Sequence, residues 1–289
     1  MISVIINPIA GGASRGAGRK RAELARRELS RLGLAGELFV TERRGHAHEL
    51  AAAAVRRGDR LVVAWGGDGT VNEVGSALVG STARLGIVPA GSGNGLAREI
   101  GVPASPARAI AHAVQSQGRP MDVGELGGRL FLSVAGIGFD AHVAAAFDAD
   151  TRGRRGLSSY VRITLRELLR YRCRSYIVND VPRTGALLLT FANSAQFGNG
   201  VRIAPDARID DGLLDLVVVE ERTRVATVRH VPSLFTGGVA RVPGVSMTRL
   251  TSAVVVSDLP MTFHVDGEPV RGGARLEARV HPGALVVAG

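Results

Sequence analysis

The stretch Leu61–Val74, which reads LVVAWGGDGTVNEV, decides how the rest of the chain is interpreted. It begins with an apolar run, continues with glycines around one acid, and then becomes compatible with a helix. This order predicts a buried parallel strand that leads into a phosphate-binding loop. We expect the glycines to adopt positive φ and to aim backbone N–H groups at an anion. We also expect Thr70 or Asn72 to cap the next helix, whose N-terminus favours the same anion.

Asp68 is the unusual member of this loop. A carboxylate among phosphates is repelled unless a Mg²⁺ ion or a substrate proton lies between them, so Asp68 indicates chemistry in addition to binding. The structural alternative is a tight turn between strand and helix in which Asp68 is only a capping residue.

Length and composition allow one large or two ordinary domains, since the chain has 289 residues and 45% of them are hydrophobic. No apolar run approaches the length of a membrane span, and the N-terminus, MISVII, lacks the charged lead and long apolar stretch of a signal peptide. We therefore expect a cytoplasmic protein. The single Cys173 cannot form an internal disulfide and has no metal-ligand partner at a recognisable spacing.

The charge of the chain is strongly basic, with a formal net charge of +10 in which Lys20 is the only lysine. Nucleic acid, anionic membrane and phosphorylated small molecules are all compatible partners for such a surface. Aromatic residues make up only 4% of the chain, and it has no RNP-like or zinc-finger pattern, so we expect no nucleic-acid partner. A homodimer is left open.

A second glycine-rich loop follows the strand predicted at Leu85–Pro89 and reads AGSGNG over Ala90–Gly95. The carboxyl ends of strands in a parallel sheet meet in one crevice, so both loops should serve the same ligand. The alternative is that each loop only caps its own helix. The earlier loop between the strand at Ser3–Asn7 and Gly18 does not fit G-x-G-x-x-G, and no G-K-[ST] occurs, which excludes both familiar phosphate loops.

The pattern changes after Gly118–Pro120, which marks a plausible domain boundary. Short β-like runs separated by Gly, Asn, Asp and Pro then predict an antiparallel sandwich or barrel. These runs are Leu130–Val134, Ala186–Phe191, Leu213–Val219, Ala253–Val256 and Met261–Val265.

The segment between Thr151 and Arg174 is unusually basic and predicts a helix over Leu157–Arg170. On such a helix an apolar face lies beside a basic stripe. The face consists of Val161, Leu165, Leu168 and Leu169, and the stripe of Arg162, Arg166 and Arg170. This helix is interpreted either as a solvated helix packed on the sandwich or as a contact with anionic membrane.

Several blocks of sequence, in this order, resemble the diacylglycerol kinase catalytic family, which also holds sphingosine and ceramide kinases and soluble bacterial lipid kinases. The first block alone is shared with NAD kinases and 6-phosphofructokinases, and the later blocks separate this chain from them. The blocks are Gly66–Glu73 (GGDGTVNE), Pro89–Asn94 (PAGSGN), Ala135–Asp140 (AGIGFD), Ala204–Ala207 (APDA) with Asp210–Asp215 (DDGLLD), and Val265–Glu268 (VDGE).

The resemblance implies a fold of α/β plus all-β class with two domains. An α/β ATP-binding domain of the NAD kinase and phosphofructokinase type would span residues 1–120 and be completed by residues 277–289. An antiparallel β-sandwich that takes the lipid substrate would span residues 121–276, with ATP in the cleft between the two.

The resemblance also implies roles for individual residues. ATP contacts fall on Asn7, Thr41, Gly66, Gly67, Asp68, Gly69, Thr70, Val71, Asn72 and Ser92. Glu268 would accept the proton of the lipid hydroxyl with Asp266 beside it, although Asp68 stays open as an alternative base or Mg²⁺ ligand. Mg²⁺ would be held by Asp211 and by backbone carbonyls near Arg208 and Leu213, whereas the structural alternative for Asp210–Gly212 is a hairpin turn.

The function predicted in this way is an ATP- and Mg²⁺-dependent kinase that acts on a primary hydroxyl of a diacylglycerol-like lipid, with a peripheral membrane contact through Arg162, Arg166 and Arg170. Gly95 stands where many bacterial members have an acid, which is more similar to the sphingoid-base branch and leaves that acceptor as an alternative. A soluble-metabolite kinase of the NAD kinase type and a non-catalytic nucleotide-binding regulator are further alternatives. Asp68, Asp266 and Glu268 speak against the regulator, since a pure binder does not need carboxylates near phosphate.

Overall fold

The computed structural model describes residues 1–12, 16–149, 157–198 and 200–289. Its contacts divide the chain into unit 1, Met1–Met121 with Gly283–Gly289, and unit 2, Asp122–Pro282. The boundary predicted after residue 120 lies one residue from this division, and the predicted returning segment begins earlier than the observed one. Residues 151–156 of the basic segment lie outside the described residues.

Unit 1 alternates strands and helices, as the sequence predicts for an α/β domain. Its described elements are β1 (Ile2–Ile6), a 3₁₀ turn (Ala10–Gly12), α1 (Ala17–Arg31), β2 (Glu37–Val40), α2 (His46–Arg56), β3 (Leu61–Gly66), α3 (Asp68–Leu78), β4 (Arg84–Pro89), α4 (Gly95–Glu99), α5 (Pro106–Gln115) and the first part of β5 (Gly118–Leu126).

The sheet of unit 1 is parallel. β1 lies between β2 and β3, β3 pairs with β4, and the end of β17 (Arg275–Ala288) pairs in parallel with β4. The chain therefore leaves β1 toward one side and returns to its other side, which makes the carboxyl ends of β1 and β3 a topological switch point. Open α/β sheets bind ligands at such points.

The core of unit 1 explains why its strands have no alternation of polar and apolar residues. Every residue of β3 is buried. Val63 and Trp65 pack with Ala25 of α1 and Ile110 of α5, and the sheet also contacts α2 and α3. A strand that is covered on both faces must be apolar at consecutive positions.

Unit 2 is dominated by antiparallel strands. After the rest of β5 its described elements are β6 (Arg129–Phe131), β7 (Val134–Gly138), α6 (Phe139–Ala149), α7 (Leu157–Leu168), β8 (Arg174–Val178), β9 (Val181–Ala192), β10 (Gln196–Gly198), β11 (Val201–Arg202), β12 (Leu214–Glu220), α8 (Arg224–His230), α9 (Ser233–Thr236), a 3₁₀ turn (Gly238–Arg241), β13 (Val245–Leu250), β14 (Ser252–Val256), β15 (Thr262–Val265), β16 (Glu268–Arg271) and most of β17.

The long strand β9 belongs to both halves of the sandwich. Its first part pairs with β8, and its second part pairs with β7 and β12. β15 and β16 extend the sheet beyond β7, whereas β14 and β17 extend it beyond β8. Phe191 and Phe263 from one half and Val255 and Leu276 from the other share one core. The predicted antiparallel sandwich is confirmed.

Helix α7 packs through a different face from the one predicted. It ends at Leu168 rather than Arg170. Ile163 and Leu168 are buried with Phe139 of α6, but Val161, Leu165 and Leu169 are 45%, 46% and 71% exposed. Leu168 is therefore the one member of the predicted apolar face that is buried. Ile163, which was not assigned to that face, is buried in the same cluster.

Within the described residues, no helix combines the length and the apolar character that crossing a membrane requires.

Candidate active site

The turn after β3 begins a helix without a side-chain cap. Gly67 is the N-cap residue of α3, and its backbone is extended, with φ −92°. The expectation that Thr70 or Asn72 caps this helix is wrong, because both residues lie inside it. The Thr70 hydroxyl instead accepts a hydrogen bond of 2.9 Å from Asn7 Nδ2, which joins the carboxyl ends of β1 and β3.

The glycines of this turn are needed for space rather than for positive φ. Neither Gly66 nor Gly67 nor Gly69 adopts positive φ, so that expectation is wrong. A Cβ on Gly66 would collide with the Thr70 side chain, and a Cβ on Gly91 would lie 2.6 Å from Gly67 Cα. The two glycine-rich loops therefore touch backbone to backbone, and any side chain at the contact would separate them.

Asp68 ties the two loops together. Its Oδ2 accepts a bond of 2.9 Å from Asn94 N, and its Oδ1 accepts one of 2.7 Å from Gly95 N. The Asn94 side chain folds back onto Gly91, accepting from its N–H at 2.8 Å and donating to its carbonyl at 2.7 Å. Asp68 thus binds the N-terminus of α4, the helix after the second loop.

The other predicted ATP contacts follow adjacent strands of the parallel sheet. Thr41 comes directly after β2, and its N–H bonds to Ile6 O at 2.9 Å. Ser92 is an exposed residue of the loop after β4. Gly69, Thr70, Val71 and Asn72 lie in the first turns of α3. The sheet therefore brings the predicted ATP contacts to one edge.

Two further polar residues shape this edge and were not among the predicted site residues. Glu73 accepts from Gly45 N at 2.9 Å and from Ala47 N at 3.1 Å, so it holds the start of α2. Arg21 donates to the carbonyls of Asn7 and Ala10, and partial burial lowers the pKa of its guanidinium. Glu73 lies within the GGDGTVNE block, but no local signal distinguishes Arg21 from other helix arginines.

A tight hairpin in unit 2 carries the other two candidate catalytic acids. Val265 pairs with Glu268, which leaves Asp266 and Gly267 as a two-residue turn with φ +47° and +84°. Positive φ at both positions is the requirement of a type I′ turn. Asp266 is the anchor of this turn, because its carboxylate accepts the backbone N–H groups of Leu132, Ser133 and Val134 at 2.8, 2.9 and 3.0 Å. Glu268 follows as the half-buried first residue of β16.

A buried polar chain supports the same hairpin. Gly267 N donates to His264 Nδ1 at 3.3 Å, so the ring proton belongs on Nε2, which lies 3.3 Å from Asp140 Oδ2. The Thr190 hydroxyl also donates to Asp140, at 2.9 Å. Asp140 lies in the AGIGFD block but was given no role there, and His264 could have been noticed only as a polar residue within an apolar strand.

The loop predicted to hold Mg²⁺ is a turn that leads into β12. Asp211 accepts from Leu213 N at 3.1 Å, whereas Arg208 pairs with Asp210 at 3.3 Å. Buried Asp122 accepts from Gly212 N at 2.6 Å and was not predicted to take part. Asp122 therefore holds the turn in place from β5.

The chemistry of the donors at this turn fits Mg²⁺. The described residues contain no group of three or more His, Cys, Asp or Glu side chains placed to hold a metal, but the predicted set has one carboxylate and two carbonyls, all oxygen donors of the kind that Mg²⁺ prefers. Burial raises the pKa of Asp215, Arg249 opposes this, and the charges of Asp211 and Asp206 raise it further. A cation at Asp211 would relieve that repulsion.

Comparison with known proteins agrees with this arrangement. The family model described as diacylglycerol kinase catalytic domain matches residues 1–126, and the model described as YegS C-terminal NAD kinase beta sandwich-like domain matches residues 133–289. This chain belongs to the diacylglycerol kinase family of lipid kinases. The suspected resemblance and the predicted fold class are both confirmed.

Relatives in the diacylglycerol kinase family match most of the chain. A protein named probable lipid kinase YegS-like from Pseudomonas aeruginosa is 34% identical over 253 residues, which is 86% of this chain and 82% of that protein. A protein of the same name from Pseudomonas savastanoi pv. phaseolicola is 34% identical over 257 residues, which is 87% of this chain and 83% of that protein.

The fold is also shared with a solved structure of a diacylglycerol kinase from Bacillus anthracis. The TM-score is 0.74 at 18% sequence identity, and the match covers 99% of this chain and 96% of that one.

Proposed function

We propose that this lipid kinase transfers the γ-phosphate of ATP, in the presence of Mg²⁺, to a primary hydroxyl of a diacylglycerol-like lipid. The observation that carries the proposal is the junction of the two glycine-rich loops, which follow β3 and β4 beside the switch point of unit 1. Asp68 holds this junction through Asn94 N and Gly95 N. Family membership and the names of the relatives support a lipid as acceptor.

The nucleotide phosphates would lie against the N-terminus of α3. The backbone N–H groups of the first turn and the helix dipole favour an anion there, and Gly67 and Gly69 add no side chain of their own to this turn. Asn7 and Thr41 stand at the ends of the neighbouring strands and are proposed to contact the same nucleotide.

The transfer step requires a base and charge neutralisation. Glu268 accepts the proton of the lipid hydroxyl, the hydroxyl oxygen forms a bond to the γ-phosphorus, and the bond from that phosphorus to the ADP oxygen breaks. Asp211 and the backbone carbonyls of Arg208 and Leu213 would hold Mg²⁺, which when bound would offset the negative charge of the carboxylates around it and stabilise this turn. Asp266 keeps the hairpin of Glu268 in place through three backbone N–H groups.

The test is transfer of radiolabelled phosphate from ATP and Mg²⁺ to lipids in mixed detergent micelles. The panel contains diacylglycerol, monoacylglycerol, sphingosine, ceramide and phosphatidylglycerol, with NAD as a soluble acceptor. We expect label in diacylglycerol, and we expect Glu268→Gln to remove nearly all of it.

Other outcomes change the proposal in defined ways. Label in sphingosine or ceramide alone would keep the kinase and replace the acceptor. Label only in NAD, or ATP binding without transfer to any acceptor, would overturn the proposed function.

A further inference from the structure

The outer face of α7 exposes an apolar stripe. Val161, Leu165 and Leu169 are spaced by four residues, and each is close to half exposed or more. Residues four apart on a helix lie one above the other. The backbone keeps this course after Leu168, because Arg170 N and Tyr171 N both bond to Glu167 O. The three side chains therefore form one continuous ridge on the surface of unit 2.

An arginine stripe runs beside this ridge. Arg162, Arg166 and Arg170 each follow one apolar residue in sequence, and all three are exposed. The only acid between Val161 and Arg170 is Glu167. Its side chain is only 12% exposed and pairs with His142 and Arg166. These bonds lower the pKa of Glu167. With three arginines against one acid, the outer face of α7 between Val161 and Arg170 keeps an excess of positive charge.

A further exposed apolar residue belongs to another helix that packs on the same side of the sheet. Leu188 of β9 and Val219 of β12 are partners in the sheet. Both the cluster that holds α7 and the cluster that holds Leu234 of α9 cover this pair. Phe235, next to Leu234, is 50% exposed. Both helices therefore pack on the same side of the sheet.

We infer that the ridge and the arginine stripe together dock unit 2 on a bilayer that contains anionic lipid. The ridge is Val161, Leu165 and Leu169, and the stripe is Arg162, Arg166 and Arg170. Apolar side chains of an amphipathic helix enter the boundary between headgroups and acyl chains, and the arginines contact anionic headgroups. A second copy of the chain is a poorer occupant, because a two-fold dimer would set the arginine stripe against itself.

The inference goes beyond the proposed chemistry, and it rests on the proposed function only for its use, since a lipid kinase must reach a substrate that lies in a membrane. Binding is therefore measured without ATP and without acceptor lipid. The probe is sedimentation with vesicles of phosphatidylglycerol and phosphatidylcholine, and with vesicles of phosphatidylcholine alone.

The charge test replaces Arg162, Arg166 and Arg170 together by Gln. Each basic residue near an anionic surface strengthens binding roughly fivefold, so we expect affinity for the anionic vesicles to fall about 100-fold. The matched control replaces the exposed unit 1 residues Arg26, Arg56 and Arg60 by Gln. It removes the same number of charges from the chain, and we expect a loss of less than about fivefold, since these residues are not on the ridge.

The apolar test is the pair Leu165→Gln with Leu169→Gln. We expect at least a tenfold loss that persists at high salt, where the charge contribution is screened. The matched control is Leu34→Gln with Leu259→Gln, which are 37% and 57% exposed and are not part of α7. Binding by the control pair should equal that of the unchanged protein.

Three results would overturn the inference: equal loss in test and control variants, vesicle binding that none of the changes affects, or no binding to anionic vesicles at all. Phosphate transfer to acceptor in detergent micelles is measured in parallel and should be the same in every variant. Failure of the docking inference with transfer intact, and failure of transfer with docking intact, are thus different results.

Discussion

Two acids in one hairpin have different surroundings. The Asp266 carboxylate accepts hydrogen bonds from three backbone N–H groups, which gives it a structural role. Glu268 is two residues further and begins β16. At the scale of single residues, we therefore expect Asp266 to matter for folding, whereas Glu268 is the proposed base.

Glu268→Gln keeps the shape of the side chain and removes its basicity. We expect kcat to fall about 10²–10⁴-fold, the usual contribution of a placed base, with ATP affinity and the free energy of unfolding nearly unchanged. Steady-state kinetics on micellar lipid and isothermal titration with ATP measure the two effects. A kcat within threefold of the unchanged protein would exclude Glu268 as the base.

Asp266→Ala leaves three backbone N–H groups without their acceptor and puts alanine at positive φ. Unsatisfied buried donors cost about 1–3 kcal/mol each, so we expect the free energy of unfolding to fall by about 3 kcal/mol or more. Urea denaturation of the variant measures this loss. Asp266→Asn, which retains one acceptor oxygen and tolerates the turn, should lose less, and equal stability of all three proteins would contradict the role of anchor.

At the scale of elements, the junction between the two loops depends on one side chain. Asp68→Ala removes the acceptor of Asn94 N and Gly95 N, so we expect faster hydrogen exchange at these two amides and ATP affinity weaker by roughly tenfold or more. For Asp68→Asn we expect an exchange rate and an ATP affinity between those of Asp68→Ala and the unchanged protein, since the amide oxygen can accept one of the two bonds. Unchanged exchange in Asp68→Ala would show that α4 is held by other contacts.

The elements with strong local patterns were predictable and those with weak ones were not. The buried run of β3 and the two glycine-rich loops could be located from sequence. The run predicted at Leu130–Val134 instead falls across the end of β6 and the start of β7, because the glycines of β7 hide its strand character. β17 was missed as a single strand, because its apolar residues alternate with charged ones in its first half and because it contains Pro282 and Gly283.

The site shows the same limit. Residues within one motif, such as Gly66–Asn72, could be grouped from sequence because they are neighbours along the chain. The pairing of Asp140 with Thr190 and His264, or of Asp122 with Gly212, depends on which strands become neighbours. No local pattern encodes such pairings, so their polar partners could not be predicted.

At the scale of the whole molecule, Mg²⁺ should be linked to stability through Asp211. A ligand at 100 times its Kd that binds only the folded chain adds about 2.7 kcal/mol, so we expect Mg²⁺ to raise Tm by roughly 5 °C or more and Asp211→Asn to abolish the rise. Thermal melts with Mg²⁺ and with EDTA measure it. Asp210→Asn is the control, because Asp210 pairs with Arg208, and an equal Mg²⁺ response in both variants would place the ion elsewhere.

The path of β17 has a consequence for synthesis of the protein. Val286 and Val287 pair with β4, and Leu285, Val287 and Ala288 are buried, so the sheet of unit 1 gains this strand only after all of unit 2 has left the ribosome. Until then the edge of β4 is exposed to other chains, and folding has to close a contact of very long sequence separation.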